Sequence, residues 1–165
     1  MFEYDYVPLP KRAPLKWPGG AKVALMMTIN LETWDLVKDT DKPYYAGGPA
    51  LLPNPLAGRI PDYPNYSWRE YGQRVGVWRM LDACRAAGVK ASFATNAAIA
   101  ERYPELIEAV LADGHEIIAH STDMNGTITS ELSEDEERAL IADSLARIEA
   151  AWARKFKPAT ALEPA

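Results

Sequence analysis

The chain has 165 residues, 48% of them hydrophobic and 25% charged, and its formal net charge is −5. These values fit one globular domain, and an acidic chain without a basic stripe argues against nucleic acid as a partner. The single cysteine, Cys84, excludes an internal disulfide and favours a reducing compartment. No secretory signal and no stretch of ~20 apolar residues is visible, so we expect a cytoplasmic protein without membrane contact.

The first third of the chain predicts one strand between two irregular segments. Residues 1–20 are rich in proline and aromatic side chains, which predicts an irregular N-terminal arm and leaves 21–165 as the α/β domain. The apolar run at 22–30 (KVALMMTIN) predicts a strand buried on both faces, as in a parallel sheet. Repeated Pro and Gly at 35–72 predict a long loop, and its aromatic residues favour packing on the body of the domain.

The rest of the chain alternates helices and strands. Helices are predicted at 73–87 and 101–113, ended by Gly88 and Gly114, and strands at 89–95 and 116–119. The segment 133–136 (SEDE) has the pattern of a capping box, which predicts a final long helix with an apolar face that runs from Leu140 to Trp152. This order predicts a parallel sheet of about three strands with flanking helices.

Polar residues follow each predicted strand. Glu32 comes after the first strand with Asp35 close by, Asn96 follows the second, and His120 and Asp123 follow the third. The carboxyl ends of parallel strands lie on one side of a sheet, so these side chains can converge. A carboxylate and an imidazole in one pocket suit general acid–base hydrolysis or a metal site, although polar groups that merely close loops are an equal alternative.

Several motifs support a family resemblance over about residues 15–160. The acidic end of the first strand is followed by 93–96 (FATN), and by 114–117 (GHEI) leading into 120–121 (HS). In these motifs the chain resembles the polysaccharide deacetylase (chitooligosaccharide deacetylase homology) family. Three further stretches, 65–72 (NYSWREYG), 74–79 (RVGVWR) and 101–106 (ERYPEL), resemble its branch of metal-independent allantoinases and cyclic imide hydrolases.

The resemblance implies a distorted (β/α) barrel that hydrolyses a non-peptide carbon–nitrogen bond. It places Glu32 at the position of the general base and Thr33 at that of a metal-ligating aspartate. His120 matches the first histidine of a ligand motif, and Met124 stands where the second is expected. Zinc prefers thiolate, imidazole and carboxylate ligands, so no metal cofactor is expected, and an atypical zinc site would have to use Glu32, His120 and Asp123.

Without a metal, Glu32 would activate water, and His120 would polarise the carbonyl or protonate the leaving nitrogen. His115 lies in the family's structural turn. Substrate contacts are predicted for Asn96 and Asp123 beside the pocket. They are also predicted for Arg69, Tyr71 and Arg74, which follow the long loop, although these three side chains could equally clamp that loop to the body.

Barrels of this family are nearly twice as long, so the chain is expected to form only the N-terminal half of one. An open sheet exposes an unpaired edge. We therefore expect self-association or a second chain that completes the barrel. The predicted function is ring opening of a small cyclic amide, imide or ureide. A non-catalytic remnant or binding module of the same fold is the alternative, and a metal-dependent polysaccharide N-deacetylase of carbohydrate metabolism is less favoured.

Overall fold

The computed structural model describes residues 5–34, 63–125, 128 and 130–155. Asp35 and most of the predicted long loop lie outside the described residues. Residues 5–27 of the predicted arm and its continuation are irregular and nearly all exposed, with two short 3-10 turns at Leu9–Lys11 and Pro18–Gly20. No helix in the described part of the chain is long and apolar enough to cross a membrane.

The described residues form a three-stranded parallel sheet with the strand order β1-β2-β3. The strands are β1 (Thr28–Leu31), β2 (Ser92–Thr95) and β3 (Glu116–Ala119). Leu31 pairs with Thr95, which pairs in turn with Ala119, so the three carboxyl ends lie level at one edge. This confirms the predicted fold class, a partial (β/α) barrel, and it brings the residues that follow the strands together.

The prediction for β1 is wrong in length and burial. The strand begins at Thr28 rather than at residue 22, and along it exposed and buried residues alternate. Val23, Leu25 and Met26 are all more than three-quarters exposed. The reason is that β1 pairs only with β2 among the described strands, and only its inner side chains, Ile29 and Leu31, reach the core.

A longer helical segment than predicted begins at Tyr63. It consists of α1 (Tyr63–Tyr71), a π-helical turn (Gly72–Gly76) and α2 (Val77–Ala87). The prediction that residues 63–72 belong to a loop is therefore wrong. Pro64 lies in the first turn of α1, where the amide hydrogen that proline lacks has no helical partner, so this proline does not break the helix.

The predicted helix at 101–113 is two helices, α3 (Ala97–Arg102) and α4 (Pro104–Ala112). Pro104 separates them because the residue before a proline avoids helical dihedrals, and Tyr103 has a φ of −127°. Gly114, with a φ of +70°, follows α4 and allows the sharp turn into β3, as predicted. The main core lies between the sheet and these helices, with Leu31, Leu81 and Phe93 at its centre.

The final helix, α5 (Glu134–Lys155), begins at the predicted capping box. The Glu136 amide donates to Ser133 Oγ, and the Glu136 carboxylate accepts from the Ser133 amide at 2.8 Å. The predicted apolar face is covered only in part, since its Ile148 packs against the core. Its members Ile141, Leu145 and Trp152, here called the outer α5 face, are 46%, 46% and 50% exposed, whereas the buried residues of α5 are Ser144 and Ala151.

Candidate active site

Glu32 and His120 meet at the carboxyl edge of the sheet. His120 Nε2 lies 3.1 Å from Glu32 Oε1, although the two residues are 88 positions apart in the chain. The side chain of Glu32 is 23% exposed and that of His120 is 41% exposed, so solvent and a small ligand can reach the pair. A carboxylate within hydrogen-bond distance of an imidazole is the arrangement that general acid–base chemistry requires.

Two neighbours fix the position of Glu32. Asn30 Nδ2 donates to the same Oε1 atom at 3.1 Å, and Gln73 Nε2 donates to the Glu32 backbone carbonyl at 2.6 Å. Gln73 is buried and belongs to the π-helical turn, a form of helix that is rare and is often found at functional sites. The sequence interpretation gave Gln73 no role, although the two glycines at 72 and 76 inside a helical pattern were a signal of irregular backbone there.

Asn96 connects the segments that follow β1 and β3 through two hydrogen bonds. It is 0% exposed. Its Oδ1 accepts from the Thr33 backbone amide at 2.8 Å, and its Nδ2 donates to the His120 carbonyl. Both ends of the amide therefore hold the segments that carry Glu32 and His120, and we assign Asn96 a positioning role in place of the predicted substrate contact.

The backbone after His120 is unusual. Ser121 has a φ of +61°, the left-handed region, which a residue other than glycine adopts at an energetic cost. Its carbonyl accepts hydrogen bonds from the Ala97 amide at 3.0 Å and from Ser144 Oγ at 2.9 Å. The turn that presents His120 is thus anchored to the start of α3 and to the buried serine of α5.

A buried carboxylate, Glu70, is linked through Arg102 to the residue after Glu32. Glu70 is 9% exposed, accepts from the Tyr103 hydroxyl and from Arg74 Nε, and lies 3.7 Å from Arg102 Nη1. Arg102 also donates to Thr33 Oγ1 at 3.2 Å. This network joins α1 and the α3–α4 junction to the residue that follows Glu32. Arg74 is paired within it and lines neither cavity described below, and its substrate contact stays a prediction.

The Tyr103 hydroxyl gives this network a pH dependence. Burial, together with the hydrogen bond to Glu70, raises the pKa of Tyr103 above its usual value of 10.0. A raised pKa in the folded state means that the stabilisation is complete below pH 10 and is lost as the pH rises through the higher, folded-state value. In urea titrations, we expect Tyr103→Phe to lower the free energy of unfolding by about 1 kcal/mol at pH 8 and to lose less stability than the wild type above pH 10. Equal alkaline slopes for the two proteins would contradict this assignment.

The Glu32–His120 pair separates two cavities. The aromatic cavity, of about 380 Å³, has Glu32 in its wall together with Asn30, Trp34, Trp68, Arg69 and Tyr71. The second cavity, of about 300 Å³, lies against α5, and its wall includes His120, Asp123, Met124 and Ile141. Arg69 and Tyr71 thus line the same cavity as Glu32, and their contact with substrate stays a prediction. Asp123 lies on the histidine side, where its Oδ1 accepts from the Asn125 amide at 2.9 Å.

His115 lies in neither cavity wall. It is 6% exposed, packs against Phe93, and its Nδ1 accepts from the Ala91 amide at 3.1 Å. These contacts are those of a structural residue in the turn between α4 and β3.

The side chains at the positions implied for zinc do not fit that metal. Thr33 Oγ1 is engaged by a cationic guanidinium, and the Met124 sulfur lies 3.6 Å from Asn96 Nδ2. Neither a hydroxyl nor a thioether is a usual zinc ligand. Among the described residues, no three His, Cys, Asp or Glu side chains are grouped so that they could hold a metal ion, so Glu32, His120 and Asp123 do not assemble the atypical site.

The fold and site define an α/β protein with a carboxylate–imidazole pair at the ends of parallel strands. A family model described as polysaccharide deacetylase matches residues 69–161, more than half of the chain. The chain belongs to the polysaccharide deacetylase family, as the sequence predicts.

Two crystal structures share the fold. The chain is similar to PuuE allantoinase, with a TM-score of 0.67 and 24% identity over 91% of this chain and 51% of that one. It is also similar to a probable polysaccharide deacetylase from Pseudomonas aeruginosa PAO1, with a TM-score of 0.68 and 24% identity over 92% of this chain and 51% of that one. The chain thus spans about half the length of each structure. No curated protein matches it.

Proposed function

We propose that this protein hydrolyses a non-peptide carbon–nitrogen bond and opens the ring of a small cyclic amide, imide or ureide. The observation that carries the proposal is the contact between Glu32 and His120 at 3.1 Å, next to a cavity of a size that fits a small ring. Family membership and the fold of an allantoinase support the same reaction class.

In the proposed mechanism, Glu32 removes a proton from water and the hydroxide attacks the amide carbon. His120 moves its Nε2–H from Glu32 Oε1 to the substrate, where it donates to the carbonyl oxygen or to the leaving nitrogen. The carbon–nitrogen bond then breaks, and the nitrogen keeps the electron pair and takes the proton from His120. Glu32 passes the proton that it took from water to His120, and the ring opens to a carboxylic acid. Asn30 and Gln73 hold the base in place through the bonds described above.

A cyclic imide or ureide suits this site better than an acetamide does. No step in the mechanism uses a metal, because the residues at the implied zinc positions do not fit one, so the leaving nitrogen must depart without Lewis-acid help. The nitrogen of an imide or ureide leaves more readily than an amine, because a second carbonyl group spreads its negative charge. Metal-dependent N-deacetylation of a polysaccharide is disfavoured for the same reason.

The test is a turnover screen of the purified protein with succinimide, allantoin and N-acetylated chitooligomers, before and after treatment with EDTA. We expect ring opening of an imide or ureide that survives the chelator. Release of acetate from chitooligomers that is lost with EDTA would instead establish the deacetylase function and overturn the proposal.

We further propose that full activity needs a complementary unit, from a second copy or another polypeptide, that continues the sheet beyond β3. Among the described strands, β3 pairs only with β2, and Ile118 in β3 is 44% exposed. The outer α5 face is exposed as well. Its apolar side chains are the kind of surface that a further β/α unit would cover.

Association is therefore expected for the isolated chain. Light scattering should show a species larger than a monomer, and the double change Ile141→Glu with Leu145→Glu should shift it toward the monomer, because charges on the outer α5 face oppose its burial. Ala146→Glu, an exposed position on the same helix, is the matched control and should leave association unchanged. A strictly monomeric wild type that unfolds cooperatively would contradict the need for a complementary unit.

A non-catalytic binding module remains the second candidate function. The observation that favours it is the same exposed apolar surface, which suits a partner whether or not chemistry follows. Absence of turnover in the screen, for the chain both alone and with its associated partner, would support this candidate.

A further inference from the structure

We infer that Arg69, oriented by stacking on Trp34, recognises a second carbonyl group of the ring substrate. The inference rests on the proposed function and deepens it, because it restricts the substrates to planar cyclic amides that carry two carbonyl groups, and because it gives Arg69 a defined role in specificity.

The first step is the geometry of the arginine. Arg69 Cζ lies 3.7 Å from the centroid of the Trp34 ring and 5.5 Å from that of Trp68. Trp34 is only 8% exposed, so it is a fixed platform. Stacking on an indole holds the plane of a guanidinium, whose N–H donors lie in that plane and can serve more than one acceptor.

The second step is the distance between this platform and the base. Trp34 follows Glu32 by two residues, so the Cα atoms of the two residues are at most about 7 Å apart. Both side chains, together with Arg69, line the aromatic cavity. A five- or six-membered ring is of matching size, so one carbonyl group can face Glu32 while another faces the arginine.

The third step is the chemistry of the leaving group. When the bond between the attacked carbon and the ring nitrogen breaks, the electron pair moves to the nitrogen and is shared with the oxygen of the second carbonyl group. A cationic donor at that oxygen stabilises the developing charge until His120 supplies a proton. Arg69 would therefore assist both binding and departure of the nitrogen in a site whose residues do not suit zinc.

The test compares the binding of succinimide and 2-pyrrolidinone, two five-membered rings that differ by one carbonyl oxygen. Binding is measured by tryptophan fluorescence in the full chain carrying Glu32→Gln, so that turnover is slow on the time scale of the titration. We expect succinimide to bind at least about tenfold more tightly, since a hydrogen bond to a charged donor contributes this much or more. Arg69→Lys, added to this variant, keeps the positive charge but loses the planar set of N–H donors. It should reduce the preference for succinimide over 2-pyrrolidinone to between about onefold and threefold.

The matched control is Arg138→Lys on α5, an exposed arginine that pairs with Glu134 and lines neither cavity, which should keep the full discrimination. Equal affinities in the parent protein, or discrimination that survives Arg69→Lys, would overturn the inference. These outcomes are separable from failure of the proposed function. If the wild type turned over no substrate but Arg69 still discriminated between the two rings, the proposed hydrolase function would be wrong and the recognition site would stand. If the wild type turned over a substrate but Arg69→Lys left the discrimination unchanged, the hydrolase function would stand and the role of Arg69 would be wrong.

Discussion

Replacing Glu32 by glutamine is expected to lower kcat/KM for ring opening by a factor of about 10²–10⁴, the usual contribution of a general base. Glutamine keeps the shape of the side chain and can still accept from Asn30, so the fold and the affinity for substrate should change little. The loss would therefore appear in kcat rather than in KM. Steady-state kinetics on whichever imide or ureide the screen identifies, together with circular dichroism of the variant, checks this result.

The matched control is Glu116→Gln. Glu116 is also a glutamate of the sheet, but it is at the opposite end of β3 and accepts from Ser92 Oγ at 2.6 Å. Its replacement should leave kcat within a factor of about two, because it neither contacts the Glu32–His120 pair nor lines a cavity. If Glu32→Gln retained the wild-type rate, or if both variants lost activity equally, Glu32 would not be the base.

Replacing Asn96 by leucine is expected to be the most destabilising single change at the site. The change removes the acceptor for the Thr33 amide and the donor to the His120 carbonyl, and it leaves a buried amide and a partly buried carbonyl without these partners. Each such loss costs about 1–3 kcal/mol, so the free energy of unfolding should fall by about 2–5 kcal/mol in urea titrations. Activity should fall as well, since the two segments that Asn96 connects carry the base and the imidazole.

Asn30→Leu provides the comparison. This asparagine is exposed in β1 and makes one described side-chain bond, to Glu32, so its loss should change the free energy of unfolding by only about 0.5 kcal/mol. If the two substitutions lowered the free energy of unfolding equally, the burial of Asn96 and its two hydrogen bonds would not explain its contribution to stability.

The meeting of Glu32 and His120 was predictable because parallel topology alone brings strand ends together. Once the apolar runs before them are taken as strands of one parallel sheet, the two residues must lie at the same edge of that sheet. The predicted starts of β1 and β2 were wrong, but the predicted meeting of Glu32 and His120 does not depend on them. It depends on the carboxyl ends of the strands, which lie level at one edge of the sheet.

Other parts of the site could not be predicted. The role of Asn96 depends on which way its amide turns, and that is decided by the backbone groups of two distant loops. The stacking of Arg69 on Trp34 joins residues that flank a long segment of irregular sequence, and no periodic pattern connects them. The hydrophobic period of α5 correctly indicated a helix, but a periodic pattern does not say whether the surface opposite it is supplied by the same chain.

The π-helical turn at Gly72–Gly76 has a consequence for how this site tolerates length changes. An α-helix advances by about 100° per residue, and a π-helical turn contains one residue more than a regular turn. The turn therefore changes the rotation of the cavity-facing residues of α1 about the helix axis relative to the core-facing residues of α2. Loss of one residue within the turn would restore a regular helix and rotate Arg69 and Tyr71 away from Glu32, while Val77 and Leu81 stayed in the core. The geometry of the aromatic cavity is therefore encoded partly in a count of residues, and relatives with the same side chains but a regular helix here would form a different pocket.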